Sequence, residues 1–190
     1  MNIYIFSIGE VAKRVRTNLI NGPFLTEQGK FETKITLNSI KRMNLRFDAI
    51  ISSPDRAASQ TIEIFKNHYG SDVLKILVWD ELLPEGDRNR LYEKISTFSI
   101  ESSVLIIGNS TYLSELINDV LSNRSGNKKI DIFLKSNSIA KLKIKSLHKF
   151  KGELRWLLSP RIIKLFLNLA NNEQIQPKQI QVPHAYEVTL

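Results

Sequence analysis

Cysteine is absent from all 190 residues. That excludes disulfides, thiolate metal sites and a cysteine nucleophile, and it fits a reducing compartment, so a cytoplasmic protein is expected. Histidine is nearly absent, with His68, His148 and His184 the three copies, so imidazole chemistry has few places to come from. Residues 1–20 offer no unbroken apolar run, because Glu10, Lys13, Arg14 and Arg16 interrupt them. A signal peptide or membrane span is therefore not expected. The Gly22…Gly29-Lys30 stretch has the wrong spacing for a P-loop, which removes nucleotide binding by that route. Repeats and low-complexity tracts are missing too. One domain is expected over 1–170, followed by a polar tail at 171–190 that carries Pro177 and Pro183.

What remains is ordinary for a globular chain, with 42% hydrophobic and 24% charged residues. The net charge of +8 is not evenly spread: residues 128–151 hold eight lysines and a single acid, Asp131. Within that stretch Lys141, Lys143 and Lys145 alternate with Leu142, Ile144 and Ser146, so on a strand the three ammonium groups share one face. At a sheet edge they would discourage edge-to-edge pairing. On an open face they would form a docking stripe for an acidic protein or, more weakly, for nucleic acid. Only Phe133 and Phe150 interleave there as aromatics, which argues against a stacking platform for single strands.

Along the chain, residues 2–8 read as a buried strand broken at Gly9, and Thr26 is a candidate N-cap for a helix running to Met43. Phe47–Ser52 reads as a second strand, followed by a helix opened by Pro54 and stopped by Gly70. Lys75–Trp79 is a third strand, Arg88–Phe98 a helix, Ser103–Ile107 a strand, and Thr111–Leu121 a helix. Shorter strands are expected at 130–134, 139–146 and 152–157, and a last amphipathic helix runs from Ser159-Pro160 to about Ala170. Trp79 and Trp156 read as core or sheet residues. The alternation predicts a three-layer α/β/α sandwich with a mostly parallel sheet.

Six fragments then fall into a known order. They are Phe6-Ser7-Ile8-Gly9-Glu10, Leu25-Thr26 with Gly29, Ser52-Ser53-Pro54-Asp55-Arg56-Ala57-Ala58-Ser59-Gln60-Thr61, Leu82-Leu83-Pro84-Glu85-Gly86-Asp87, Val104-Leu105-Ile106-Ile107-Gly108-Asn109, and Leu154-Arg155-Trp156-Leu157-Leu158-Ser159-Pro160. Over residues 1–165 the chain resembles the histidine phosphatase superfamily, specifically its short SixA-type phosphohistidine phosphatases. The resemblance implies a phosphoglycerate-mutase-like fold and four phosphate-handling positions. At the end of the first strand an Arg clamps phosphate and the following His is the nucleophile; here these are Ser7 and Ile8, with Gly9 and Glu10 matching. A second clamping Arg falls on Ala57, although Pro54, Ala58, Gln60 and Thr61 match. A second phosphate-binding His falls on Asn109.

These departures remove the reaction's means. Phosphoryl transfer needs a lone pair aimed at phosphorus and fixed positive charge around its oxygens. Isoleucine has no lone pair, serine and alanine carry no cation, and the asparagine amide is neutral. Charged hydrogen bonds contribute roughly 1.5–3 kcal/mol each, so losing four removes roughly 6–12 kcal/mol before non-additivity. Micromolar affinity amounts to only about 8 kcal/mol. None of the three histidines falls beside Ile8 in sequence, and no base is placed to activate Ser7, Ser53 or Ser110. Arg56, one residue before the lost clamp, and Asp87 are candidates for the pocket rim, while Glu10 and Asp87 read more simply as capping or solvated carboxylates. No catalytic residue, cofactor or metal is therefore expected. The resemblance implies a binding or regulatory protein whose partner is an acidic or histidine-phosphorylated signalling protein. An unconventional phosphatase using Arg56, Glu10 or Asp87, and a nucleic-acid-associated protein using the 128–151 patch, are the alternatives.

Overall fold

A computed structural model describes residues 1–12, 22–69, 75–122 and 131–172. Its six strands are β1 (Asn2–Ser7), β2 (Ala49–Ser52), β3 (Lys75–Val78), β4 (Ser103–Gly108), β5 (Ile139–Ser146) and β6 (Lys151–Leu158). Five α-helices accompany them: α1 (Glu27–Arg42), α2 (Arg56–Tyr69), α3 (Arg88–Ser96), α4 (Ser110–Leu121) and α5 (Pro160–Asn172). The sheet order is β3-β2-β4-β1-β5-β6. The first four strands pair in parallel, whereas β5 runs antiparallel to both β1 and β6.

Period-two alternation along β1 divides the core. Ile3 and Ile5 face one helical layer with Leu91 and Ile95 of α3 and Leu113, Leu116 and Ile117 of α4. Tyr4, Phe6 and Ile8 face the other, with Leu37 and Ile40 of α1, Ile62 and Phe65 of α2 and Ile163 of α5. Both faces of β1 and β4 are covered, which is why their sequences read as nearly continuous apolar runs rather than as alternation. Thr26 caps α1 as expected, its side chain accepting from the Gly29 N–H at 2.9 Å.

Two expectations are corrected. The 130–134 segment is not a strand over its described residues, 131–134. The edge of β1 that it would need is taken by β5, and its backbone bonds to side chains of α4 instead. The Ile132 N–H donates to Asn118 Oδ1 at 2.9 Å, Asn118 Nδ2 returns a bond to Ile132 O at 3.3 Å, and the Leu134 N–H donates to Ser114 Oγ at 2.9 Å. The Asn118 amide thus does what a neighbouring peptide would do in a ladder. Second, β5 is interior and β6 is the edge, so Lys141, Lys143 and Lys145 do not guard a sheet margin. The Gly70 stop, His184, Lys128, Lys129 and the tail from 173 lie outside the described residues.

The α5 layer is tied on by charge. Lys164 Nζ lies 2.6 Å from Glu32 Oε1 on α1. Partial burial pushes the Glu32 carboxyl up, but hydrogen bonds from Lys164 and Gln28 outweigh that, and its pKa falls below the ordinary 4.5. A carboxyl with a depressed folded-state pKa contributes stability that is complete above its unfolded value and lost as pH falls through the folded one. Lys164→Met is therefore expected to flatten the fall in urea midpoint on acidification below about pH 4.5. An unchanged pH profile would show that the pair does not hold α5.

Candidate functional site

In an open α/β sheet, ligands sit beyond the carboxyl ends of the strands, where neighbouring strands send their helices to opposite faces. Here that point lies between β1 and β4: α1 follows β1 onto the Tyr4 face, and α4 follows β4 onto the Ile3 face. Ser7 pairs with Gly108 in the register, and the Ile8 N–H donates to Gly108 O at 2.9 Å. On the other flank of β4, the Ser53 N–H donates to Ile107 O at 3.0 Å. Backbone pairing therefore brings together Ser7, Ile8, Asn109 and the start of α2, which carries Ala57. These are the four positions singled out in the sequence.

Each of the four is occupied by packing or by a backbone partner. Ile8 is 8% exposed and Ala57 1%, and both belong to the apolar cluster with Leu25, Ala58 and Ile62. Burying an isoleucine side chain contributes roughly 1.5–3 kcal/mol, so Ile8 serves as core. Ser7 is fully buried. Its hydroxyl donates to Lys135 O at 2.6 Å and accepts from the Ser138 N–H at 3.0 Å. Asn109 is the N-cap of α4, its Oδ1 accepting from the Thr111 and Tyr112 N–H groups at 2.8 and 3.4 Å. An amide used this way closes the helix end, where unpaired N–H groups would otherwise favour an anion.

Sequence reading missed a residue that ties β1 to α1. Asn137 is fully buried with φ of +58°, a left-handed conformation that asparagine tolerates better than most side chains. Its N–H donates to Ser7 O at 3.1 Å, Thr33 Oγ1 lies 2.8 Å from its Oδ1, and Thr36 Oγ1 donates to its carbonyl at 3.3 Å. The Ser136-Asn137-Ser138 turn thereby binds β1 to α1 from a distant part of the chain. Its only local signal was the Ser-Asn-Ser tripeptide, which suits a turn.

The charged candidates are likewise engaged. Glu10 is exposed, and its Oε2 accepts from Thr26 Oγ1 at 2.8 Å. Asp87 caps α3 through Asn89 N–H at 2.8 Å. The Arg56 guanidinium lies 3.9 Å from the Phe24 ring centroid, a cation–π arrangement. Ser53 donates to Asp55 Oδ2 at 2.8 Å. Tyr112 donates its hydroxyl to Glu81 O; burial above all pushes its pKa up to about 12, so it stays a protonated donor. The motif residues that match the superfamily have structural duties. Gln60 Oε1 accepts from the Leu25 N–H at 2.8 Å, and Thr61 Oγ1 donates to Ala57 O at 2.8 Å.

Of the histidines, His68 Nδ1 lies 2.9 Å from Ile64 O, within its own helix. His148 lines a cleft of about 760 Å³ between α3 and the β5–β6 turn, with Tyr92, Lys149 and Phe150. That turn is at the opposite end of the sheet from Ile8, because Ile139 at the start of β5 pairs with Phe6.

No protein-family model matches the sequence, and no curated protein does. Solved structures do. The protein histidine phosphatase SixA complexed with tungstate aligns with a TM-score of 0.71 at 22% identity, covering 85% of this chain and 98% of that one. The fold is that of the SixA phosphohistidine phosphatases. A candidate SixA from Agrobacterium tumefaciens aligns with a TM-score of 0.67 at 17% identity over 84% of this chain and 97% of its own. The α-ribazole phosphatase from Shigella flexneri gives 0.64 at 13% identity, covering 84% and 97%. At these identities the likeness extends to the fold. Within that fold, backbone pairing sets Ser7, Ile8 and Asn109 at the carboxyl ends of neighbouring strands, beside the start of α2 that carries Ala57.

Proposed function

We propose that this chain is a SixA-like protein that acts by binding rather than by phosphoryl transfer. The observation that supports this reading is the filling of the crevice: Ile8 and Ala57 are core residues, and Asn109 is committed to capping α4. No lone pair at Ile8 is available to attack phosphorus, and no cation at Ser7 or Ala57 is available to hold an oxyanion. By analogy with SixA, the partner is a histidine-phosphorylated signalling protein, contacted through its protein surface rather than through its phosphoryl group.

The test is phosphate release from an aryl phosphate and from a phosphohistidine peptide, together with the melting temperature in millimolar tungstate. The expected result is no release above buffer and no tungstate-dependent rise in melting temperature. A ligand at 100 times its Kd would stabilise by about 2.7 kcal/mol, so specific oxyanion binding would be visible. Release that scales with protein and falls in Arg56→Gln or Glu10→Gln would overturn the reading in favour of an unconventional phosphatase.

A further inference from the structure

The sheet face carrying the half-buried Lys141 and Lys143 and the exposed Lys145 lies apart from Ser7, Ile8 and Asn109. Lys141 and Lys143, at alternate positions of β5, stand about 6.6–6.8 Å apart on one face. Their neighbours Leu142 and Ile144 belong to the cluster with α3 and α4, so these two lysines project from the other side, while Lys145 sits at a register shift between Ile144 and Ser146. Lys141 is held in place: its Nζ lies 5.2 Å from the Tyr4 ring centroid, and Trp156 packs against Tyr4 with centroids 6.0 Å apart. Lys145 pairs with Glu153, whose second oxygen lies 3.2 Å from Arg155 Nη2. The Lys145, Arg155 and Glu153 side chains remain 61%, 53% and 40% exposed.

Charge on this face is unbalanced. Among the described residues, Glu153 is the single carboxylate paired with any of these four cations, and neither Lys141 nor Lys143 has an ion-pair partner. The crowding reaches Met1, whose amino group is held below its ordinary value by burial first and by the Lys143 charge second, with Glu101 opposing. Because β5 is an interior strand, protection of an edge does not account for the lysines.

We propose that this face docks an extended acidic segment of a protein partner. An extended chain with an acid at every second residue repeats at the spacing of Lys141 and Lys143, with Lys145 beyond them, and such a surface sets orientation and association rate. One feature favours polypeptide over nucleic acid: Tyr4 is 5% exposed beneath Lys141 and unavailable for stacking. The proposal does not depend on an inert crevice, since Lys143 lies roughly 13 Å along β5 from the residue paired with Phe6.

The experiment is fluorescence polarisation of a labelled peptide of alternating Glu and Ser, against an oligothymidylate of equal length, at low and high salt. Lys143→Glu/Lys145→Glu is expected to weaken peptide binding about tenfold or more. Lys34→Glu/Lys66→Glu, an equal change of charge at exposed positions of α1 and α2, should leave it within about twofold. Lys143→Gln/Lys145→Gln, with melting temperature recorded, provides the readout if the reversed variant misfolds, and an intermediate loss is expected. Equal losses in both double variants, no peptide binding at low salt, or tighter binding of the oligonucleotide would each overturn the proposal.

Discussion

Ser7→Arg is expected to lower the unfolding free energy by about 3–5 kcal/mol, a displacement of roughly 1–2 M in the urea midpoint. The substitution supplies the cation that the sequence resemblance implies at this position, yet the surroundings are taken up by other contacts. Ser7 is fully buried, and its hydroxyl joins the Lys135 carbonyl and the Ser138 N–H. An arginine must overpack that space, at about 1–3 kcal/mol, and must bring its charge out of water. Ala57→Arg meets a similar obstacle, since Ala57 is 1% exposed within the Ile8 cluster. Asn109→His loses only a helix cap, about 0.5–2 kcal/mol. Restoring all four residues together is therefore expected to unfold the chain rather than produce turnover. Near-native midpoints for Ser7→Arg and Ala57→Arg would show that the crevice still has room for a guanidinium, and the binding-only reading would lose its main support.

Gly29→Ala should cost about 2–4 kcal/mol and strike the same region from the helix side. A Cβ at Gly29 would collide with the Glu10 carbonyl oxygen and stand 3.0 Å from the Glu10 nitrogen. Both obstacles are backbone, so no side chain can swing aside. The facing position is nearly as tight, for a Cβ at Gly9 would lie 2.8 Å from Gly29 O and 3.1 Å from Thr33 Oγ1. This close approach lets Thr26 cap α1 and reach the Glu10 carboxylate together. Urea denaturation of Gly29→Ala beside Gly86→Ala, which meets the Glu81 backbone far from this junction, would separate local from general sensitivity. A Gly29→Ala midpoint equal to that of the unaltered protein would mean α1 can draw back from β1 freely.

Much of the architecture was legible in the residues because the cues are local. Val104–Ile107 is an apolar run ended by Gly108, Thr26 stands three residues before Gly29, and Pro54 precedes α2; each acts within one turn or one strand. The misread segment, 130–134, has a strand-like composition in Ile132, Phe133 and Leu134. Its fate depended on long-range strand pairing, and β5 holds the edge of β1. The lysine stripe was similarly readable as a shared face but not as an interior strand, because strand order is set by long-range pairing. Asn137 was missed because its role rests on residues more than a hundred positions away, Thr33 at 104 and Thr36 at 101.

The amino-acid sequence by itself determined what chemistry is unavailable at the strand ends, because no packing arrangement confers a lone pair on isoleucine or a charge on alanine. Only the tertiary structure decided what surrounds those positions. The Ser7 hydroxyl meets the Lys135 carbonyl across 128 positions, and contacts of that span arise from the folded topology rather than from any local pattern.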